Sequence, residues 1–398
     1  MVVSKEILDK YADLLIKFAL NDFKGIKKDD VVLLRVPECA KPMLKSLYKK
    51  VLEAGGHPIV HFSPDDMKRD IFENGSEEQI TFYPKKYMDG IIDQIDHLVS
   101  IIAETNKKEL EGIDSKKIMA RGEALKEFRE KIQEKENKGK LTWTLALYGT
   151  KQMANEVNMS LEEYWGEIIN ACYLDEEDPV LKWREVVDEI ERVRKELNSL
   201  DIDYLRIESL DTDLIIGLDE NRKWLGGSGR NIPSFELYIS PDCKRTSGKI
   251  RFNKDLYRYG NLIQDVYLEF ENGRVTKADA STGLKVLKDM IATKGADMVG
   301  EFSLTDRRLS RITKFMGETL FDENVGGEQG NTHIALGSAY KDSYTKDPSK
   351  VSKEQWEELG FNESSVHTDI VSTNKRKVTA TLKDGSKKVI YENGEFKV

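Results

Sequence analysis

Cysteine is nearly absent from this chain of 398 residues: Cys39, Cys172 and Cys243 are the only three, and they lie far apart. That excludes a disulfide framework and any paired CxxC zinc site. Each thiol is expected to serve as a small buried hydrophobe. Histidine is almost as sparse, with five. No apolar run approaches the ~20 residues that span a bilayer. The opening stretch, MVVSKEILDKYADLLIKFAL, is an amphipathic helical pattern carrying acids. It lacks the basic start, apolar core and small-residue cleavage site of a secretory signal. A net charge of −9 disfavours nucleic acid and anionic membrane as partners, because both need basic patches. HExxH, GxSxG and the phosphate-binding GKS or GKT are all missing, and no internal repeat is found. These absences describe a cytoplasmic protein with no nucleic-acid and no membrane partner.

What is present is the composition of a globular protein, 39% hydrophobic and 33% charged. At ~150 residues per domain the length implies two or three domains. Residues 29–37, DDVVLLRVP, form a short Val/Leu-rich run, followed by a helical pattern closed at Gly55 and Gly56 and then by HPIVHF. That is the order of a βαβ unit in a parallel sheet. DHLVSIIA and LTWTLALYG are two further buried strands, separated by a charged, mostly helical stretch over 107–138. SLEE at 160–163 is a capping box, and Pro179 opens a second long amphipathic helix.

Beyond about residue 203 short strands alternate with turns, including Asn-Gly and Asp-Gly hairpin signals. Two helical patterns are expected at 281–293 and 304–317. GGSGRN, 226–231, is expected to be a loop, since no phosphate-cradling helix follows it. The fold class is α/β and α+β, with an N-terminal α/β domain over 1–204 and a C-terminal β-rich domain with embedded helices over 205–398.

Two of the five histidines fall close together in the second domain. His333 opens the apolar run HIALG, and His367 precedes Asp369 by two residues. On a strand, positions i and i+2 face the same way, so imidazole and carboxylate can reach one point. Alone, His-x-Asp is more often a surface histidine paired with a neighbouring carboxylate. Glu236 in NIPSFELYISP, Glu301 in ADMVGEFSLTD, and Asp322 with Glu323 in TLFDENVGG place acids among apolar residues. Such acids are costly unless paired or bound to a metal. His57, His61 and His97 carry no pattern that suggests chemistry.

NIPSFELYISP, GEFSL, LFDENVGG…THIALGSAY and VHTDIV, in that order, resemble the thermophilic metalloprotease family, metallo-aminopeptidases of the aminopeptidase T type. VVLLRVP…LYKKVLEAGGHPIVHF and ANEVNMSLEEYWGEIINACYLDEEDPV extend the resemblance over nearly the whole chain. It implies two divalent metals held by Glu236, Glu301, Glu323, His333, His367 and Asp369, with Tyr340 an active-site tyrosine beside them and a homodimeric assembly. Between FDEN and His333 the chain carries VGGEQGNT, longer than in the best-known members. Glu328 is therefore a second candidate for the place of Glu323. A carboxylate and imidazole set without thiolate suits zinc first, with cobalt or manganese as alternatives. The implied reaction is removal of N-terminal residues from peptides with a free N-terminus by water activated between two metals. Glu301 or Glu323 would move the proton, and Tyr340 would stabilise the oxyanion. Two other readings stand beside this one: a metallohydrolase of another small amide or ester, and a non-enzymatic α/β binding protein.

Overall fold

The computed structural model describes residues 3–398. The chain divides into two compact units, neither continuous in sequence. The first contains the residues up to Val187 together with Ser228–Ser234 and Lys314–Phe321. The second contains Asp188–Gly227, Phe235–Thr313 and Asp322–Val398.

The first unit is built on a five-stranded sheet in the order His57–Ser63, Val31–Pro37, His97–Ile102, Thr142–Leu147, Asn231–Ile232. Every neighbouring pair is parallel. The apolar runs of the inner strands Val31–Pro37, His97–Ile102 and Thr142–Leu147 are largely buried under covering helices, whereas the edge strand His57–Ser63 leaves Val60 and Phe62 exposed. Leu33 and Leu98 pack with Ile91 of helix Lys85–Gln94 and Ile132 of helix Lys126–Asn137. Helix Lys41–Glu53 buries Met43, Leu47 and Val51 and packs with helix Lys5–Lys17. The expected capping box is formed: Ser160 accepts from the Glu163 N–H, and the Glu163 carboxylate accepts from the Ser160 N–H.

His97 is a strut. Its Nε2 lies 2.9 Å from Asp30 and its Nδ1 2.8 Å from the Thr142 hydroxyl, so it ties together the starts of three strands. GGSGRN is a loop over 227–230 but strand at its two ends: Gly226 closes Leu225–Gly226, and Asn231 opens Asn231–Ile232, a fifth parallel strand held where the Leu145 N–H donates to the Arg230 carbonyl at 2.7 Å.

The second unit contains an eight-stranded sheet in the order Arg274–Asp279, Tyr267–Glu271, Thr246–Arg251, Thr212–Gly217, Ile202–Ser209, Arg376–Leu382, Lys387–Glu392, Glu395–Phe396. All its pairs are antiparallel. A separate five-stranded sheet runs His367–Ser372, Asn331–Gly337, Val299–Thr305, Glu236–Ile239, Leu225–Gly226, also antiparallel throughout. The helix expected at 281–293 is present as Leu284–Ile291.

The helix expected over 304–317 does not form. Leu304 and Thr305 finish a strand, and beyond them the Asp306 carboxylate captures the Arg308 N–H and guanidinium. Local side-chain bonds of that kind compete with helical pairing.

Gly229 lies against the Ala19 carbonyl: a Cβ built there would come within 1.7 Å of that oxygen. Gly229→Ala is expected to displace the strand Asn231–Ile232 and cost about 1–3 kcal/mol. A shifted urea midpoint with an unchanged slope would register the loss; an unchanged midpoint would refute it.

Candidate metal centre

The five-stranded sheet explains how the sparse histidines meet the acids. Its register pairs Glu301 with Ala335 and Ala335 with Asp369, Ser303 with His333 and Tyr238, Thr305 with Glu236, and Gly337 with His367. Side chains opposite one another share a face, so Glu236, Tyr238, Glu301, Ser303, His333, His367 and Asp369 all project to one side. The alternate residues, among them Leu237, Ile239, Phe302, Leu304, Ile334, Leu336 and Ile370, form the apolar reverse face, and all seven are buried. The polar face is buried as well: Glu236, Glu301, Ser303 and His333 lie among the least exposed residues of the protein.

A bulge sets the aim of the central acid. The register slips between Val299 and Glu301, leaving Gly300 as the extra residue. Only glycine fits there, because a Cβ would meet the Ser338 and Gly337 carbonyl oxygens at 2.4 and 2.5 Å.

Within the cluster His333 Nε2 lies 3.4 Å from Glu236 Oε2 and 3.4 Å from Glu301 Oε1. His367 Nε2 lies 3.2 Å from Glu301 Oε2 and 3.4 Å from Asp369 Oδ1. Each oxygen of Glu301 thus faces a different imidazole. Three groups of donor atoms are close enough to hold an ion: Glu236–Glu301–His333, Glu301–His367–Asp369 and Glu323–His333–Asp369. All six residues that the family resemblance implies as ligands are brought together, whereas Asp322, the other acid singled out in the sequence, belongs to none of these groups. Glu328 is exposed and belongs to none of these groups.

Four carboxylates in one buried site repel one another, and the proton affinities record it. Burial, aided by Glu301 and opposed by His333, raises Glu236 to about 7. Burial and the charges of Glu236, Asp369 and Glu301 push Glu323 well above the ordinary carboxylate range. Burial would lower His333, yet Glu236 and Glu301 outweigh it and carry the imidazole up to about 9. For Glu301 and Asp369 the imidazoles overcome the cost of burial and hold both acids below their usual values.

Two buried atoms of the cluster, Asp369 Oδ1 and His333 Nδ1, have no hydrogen-bond partner. A site with surplus negative charge, an orphaned carboxylate oxygen and no thiolate fits a divalent cation of borderline or hard character.

The supporting contacts were not anticipated from the sequence. The Ser303 hydroxyl donates to Glu236 Oε2 at 2.8 Å. His367 Nδ1 lies 2.8 Å from the Ser338 carbonyl, which fixes its proton there and leaves Nε2 free to coordinate. Asn324 Oδ1 accepts from the Phe235 N–H at 2.6 Å, joining the stretches that carry Glu323 and Glu236. One signal was legible: VGEFSLT alternates polar and apolar from Glu301 onward, the pattern of a strand with one polar face.

Tyr340 stands at the rim, its ring centroid 5.0 Å from that of His367 and 5.4 Å from that of Tyr238. Its N–H donates to Ser240 Oγ at 2.9 Å. The loop that follows is held by Tyr344 packed on Trp356 and Phe361. Burial, then the charges of Glu301 and Asp369, keep the Tyr340 phenol protonated well beyond its ordinary range.

The model of a family described as thermophilic metalloprotease (M29) matches residues 4–396. Aminopeptidase PepS from Streptococcus thermophilus is 28% identical over 98% of both chains. Aminopeptidase T from Thermus thermophilus is 27% identical over 99% of both. The solved structure of wild-type AmpT from Thermus thermophilus superposes with a TM-score of 0.84, covering 99% of this chain and 100% of that one at 24% identity. That likeness shows the fold: the mixed architecture of a parallel sheet followed by antiparallel ones.

Gly300→Ala is expected to push the bulge aside and swing Glu301 out of the cluster. Equilibrium dialysis against zinc should then show reduced uptake by a protein whose circular dichroism is unchanged. Uptake equal to that of the parent chain would separate the bulge from the site.

Proposed function

The chain belongs to the thermophilic metalloprotease family, and from that premise we infer that it is a metal-dependent aminopeptidase that hydrolyses N-terminal residues from peptides with a free N-terminus. The observation that carries this reading is the buried face on which three overlapping donor groups share four carboxylates and two imidazoles. In this reading residues 205–398 form the catalytic half and residues 1–204 a supporting α/β half. The protein acts in the cytoplasm as a homodimer. No helix of the described residues is long and apolar enough to cross a membrane.

We assign Glu236 and His333 to one ion and His367 and Asp369 to a second, with Glu301 between them because its two oxygens face the two imidazoles. Zinc is the first choice, with cobalt or manganese able to serve the same donors. Divalent ions bound there would supply Lewis acidity, polarising a peptide carbonyl and making water nucleophilic near neutral pH. The protein's own groups do the rest. Glu301 stands in two of the donor groups and Glu236 is held by the Ser303 hydroxyl, whereas Glu323 comes from a turn outside the sheet and falls in a single donor group with His333 and Asp369. Glu323 therefore takes the proton of the attacking water and returns it to the departing amine. Tyr340, protonated throughout, donates a hydrogen bond to the carbonyl oxygen as negative charge builds there. The buried face excludes bulk water, which strengthens each of these interactions.

Two variants separate holding from proton transfer. Glu301→Gln should lose both bound metal and hydrolysis of a leucine chromogenic amide. Glu323→Gln should keep its metal while kcat falls by about 10²–10⁴. Elemental analysis beside the rate assay distinguishes them. Metal lost from the Glu323 variant would make that residue a ligand and not the proton carrier.

Tyr340→Phe should leave metal content and KM unchanged and lower kcat by about 10²–10³, the usual loss of one oxyanion donor. An unchanged kcat would reduce Tyr340 to packing. Should no metal restore hydrolysis to folded, chelator-treated protein on a panel of free-amine peptides, the aminopeptidase reading fails.

A further inference from the structure

The parallel sheet of the first unit has its own crevice. Strand order His57–Ser63, Val31–Pro37, His97–Ile102 means that the chain leaves Val31–Pro37 toward one edge and later returns to its other side. In doubly wound sheets such a reversal opens a cleft beyond the carboxyl ends of the strands, where ligands bind. A cleft of about 340 Å3 lies at that place, lined by residues from the ends of all three strands. That volume is near the lower end for ligand pockets, ~300–1,000 Å3, and suits a small molecule.

The lining has a distinctive charge pattern. It carries four acids, Asp65, Asp66, Glu104 and Glu109, and two bases, Arg35 and Lys68. Three of the acids are engaged in the wall: Glu104 pairs with Lys68 at 3.3 Å, Glu109 accepts the Lys68 and Arg69 N–H groups, and Asp66 accepts from Thr105. Burial and then Asp65 raise the proton affinity of the nearby Cys39 thiol. Of the two bases Lys68 is paired, whereas the exposed Arg35 has no side-chain hydrogen bond or ion pair among the described residues. Its charge is nonetheless felt nearby, where burial and then Arg35 lower the proton affinity of His61.

A free guanidinium in a cleft calls for a planar anion such as a carboxylate, which it can grip through two parallel bonds. A nucleotide is the wrong ligand. The crossover after the first strand runs Pro37–Glu38–Cys39–Ala40–Lys41–Pro42, without a glycine to admit a pyrophosphate and with an acid that repels one. The surplus of acids around Arg35 favours a ligand that also carries positive charge.

We propose that this cleft binds a free α-amino acid, Arg35 taking its carboxylate and the second oxygens of Asp66 and Glu104 receiving its ammonium. An amino acid is also what an aminopeptidase releases, so on that reading, and resting on it, the cleft senses product.

The test is binding of labelled leucine to the full metal-loaded chain by equilibrium dialysis, with the parent protein, Arg35→Gln and Glu301→Gln compared. The expected result is saturable binding that survives Glu301→Gln and weakens at least about tenfold in Arg35→Gln, as for loss of a charge-assisted bond. Leucinamide, without the carboxylate, and 4-methylpentanoate, without the amine, should bind more weakly by a similar factor. Leucine held equally by Arg35→Gln, or lost altogether in Glu301→Gln, overturns the proposal. So does displacement of leucine by inorganic phosphate and not by unlabelled amino acids. If Arg35→Gln does not fold, Arg35→Lys keeps the charge without the fork, and unweakened binding there is equally fatal. Hydrolysis by the parent protein is scored separately, so failure of the aminopeptidase reading leaves this outcome legible.

Discussion

Crowding of negative charge onto one buried sheet face is the constraint around which the second unit is organised. Glu236, Glu301, Glu323 and Asp369 converge where desolvation alone would favour their neutral forms. Two imidazoles offset part of that charge, and a divalent cation is the natural remedy for the remainder. A buried ionic cluster of this kind contributes little net stability, because desolvation consumes most of the Coulombic gain. The apolar reverse face, with Phe302, Leu304, Ile334 and Leu336 buried behind the acids, supplies the cohesion that the polar face lacks. One strand pattern thus serves both sides: polar positions build the site and apolar positions hold it in place.

The precision of the site comes from backbone groups as much as from side chains. The Ser338 carbonyl fixes the tautomer of His367, the bulge at Gly300 turns Glu301 inward, and Asn324 joins the stretch before Glu236 to the one after Glu323. Tyr340 is positioned in the same way, through its own N–H and an aromatic cluster beneath the loop.

Much of this was legible from residue chemistry. The βαβ order, the capping box at Ser160 and the hairpins of the second half stand out in the sequence, because each leaves a local pattern; acids among apolar residues pointed to a charged site, but it took the family resemblance to choose the six and leave out Asp322. What escaped notice depends on partners distant along the chain. Asn231–Ile232 is a strand only because Thr142–Leu147 lies beside it, and nothing in GGSGRN announces that neighbour. The helical pattern over 304–317 is real as a pattern, but Asp306 spends its carboxylate on Arg308 and on the Phe396 N–H. His97 looked idle because Asp30 and Thr142, which occupy its two nitrogens, are remote from it in sequence.

The interleaving of the two units has a consequence for how such a chain can evolve. Ser228–Ser234 and Lys314–Phe321 belong to the first unit, and each ends two residues before a clustered acid, Glu236 and Glu323. No single cut releases either half with all of its own residues. The usual route by which enzymes acquire new partners, exchange of a whole domain at one linker, is closed here. Innovation in such a chain must proceed by point substitution and by changes within loops.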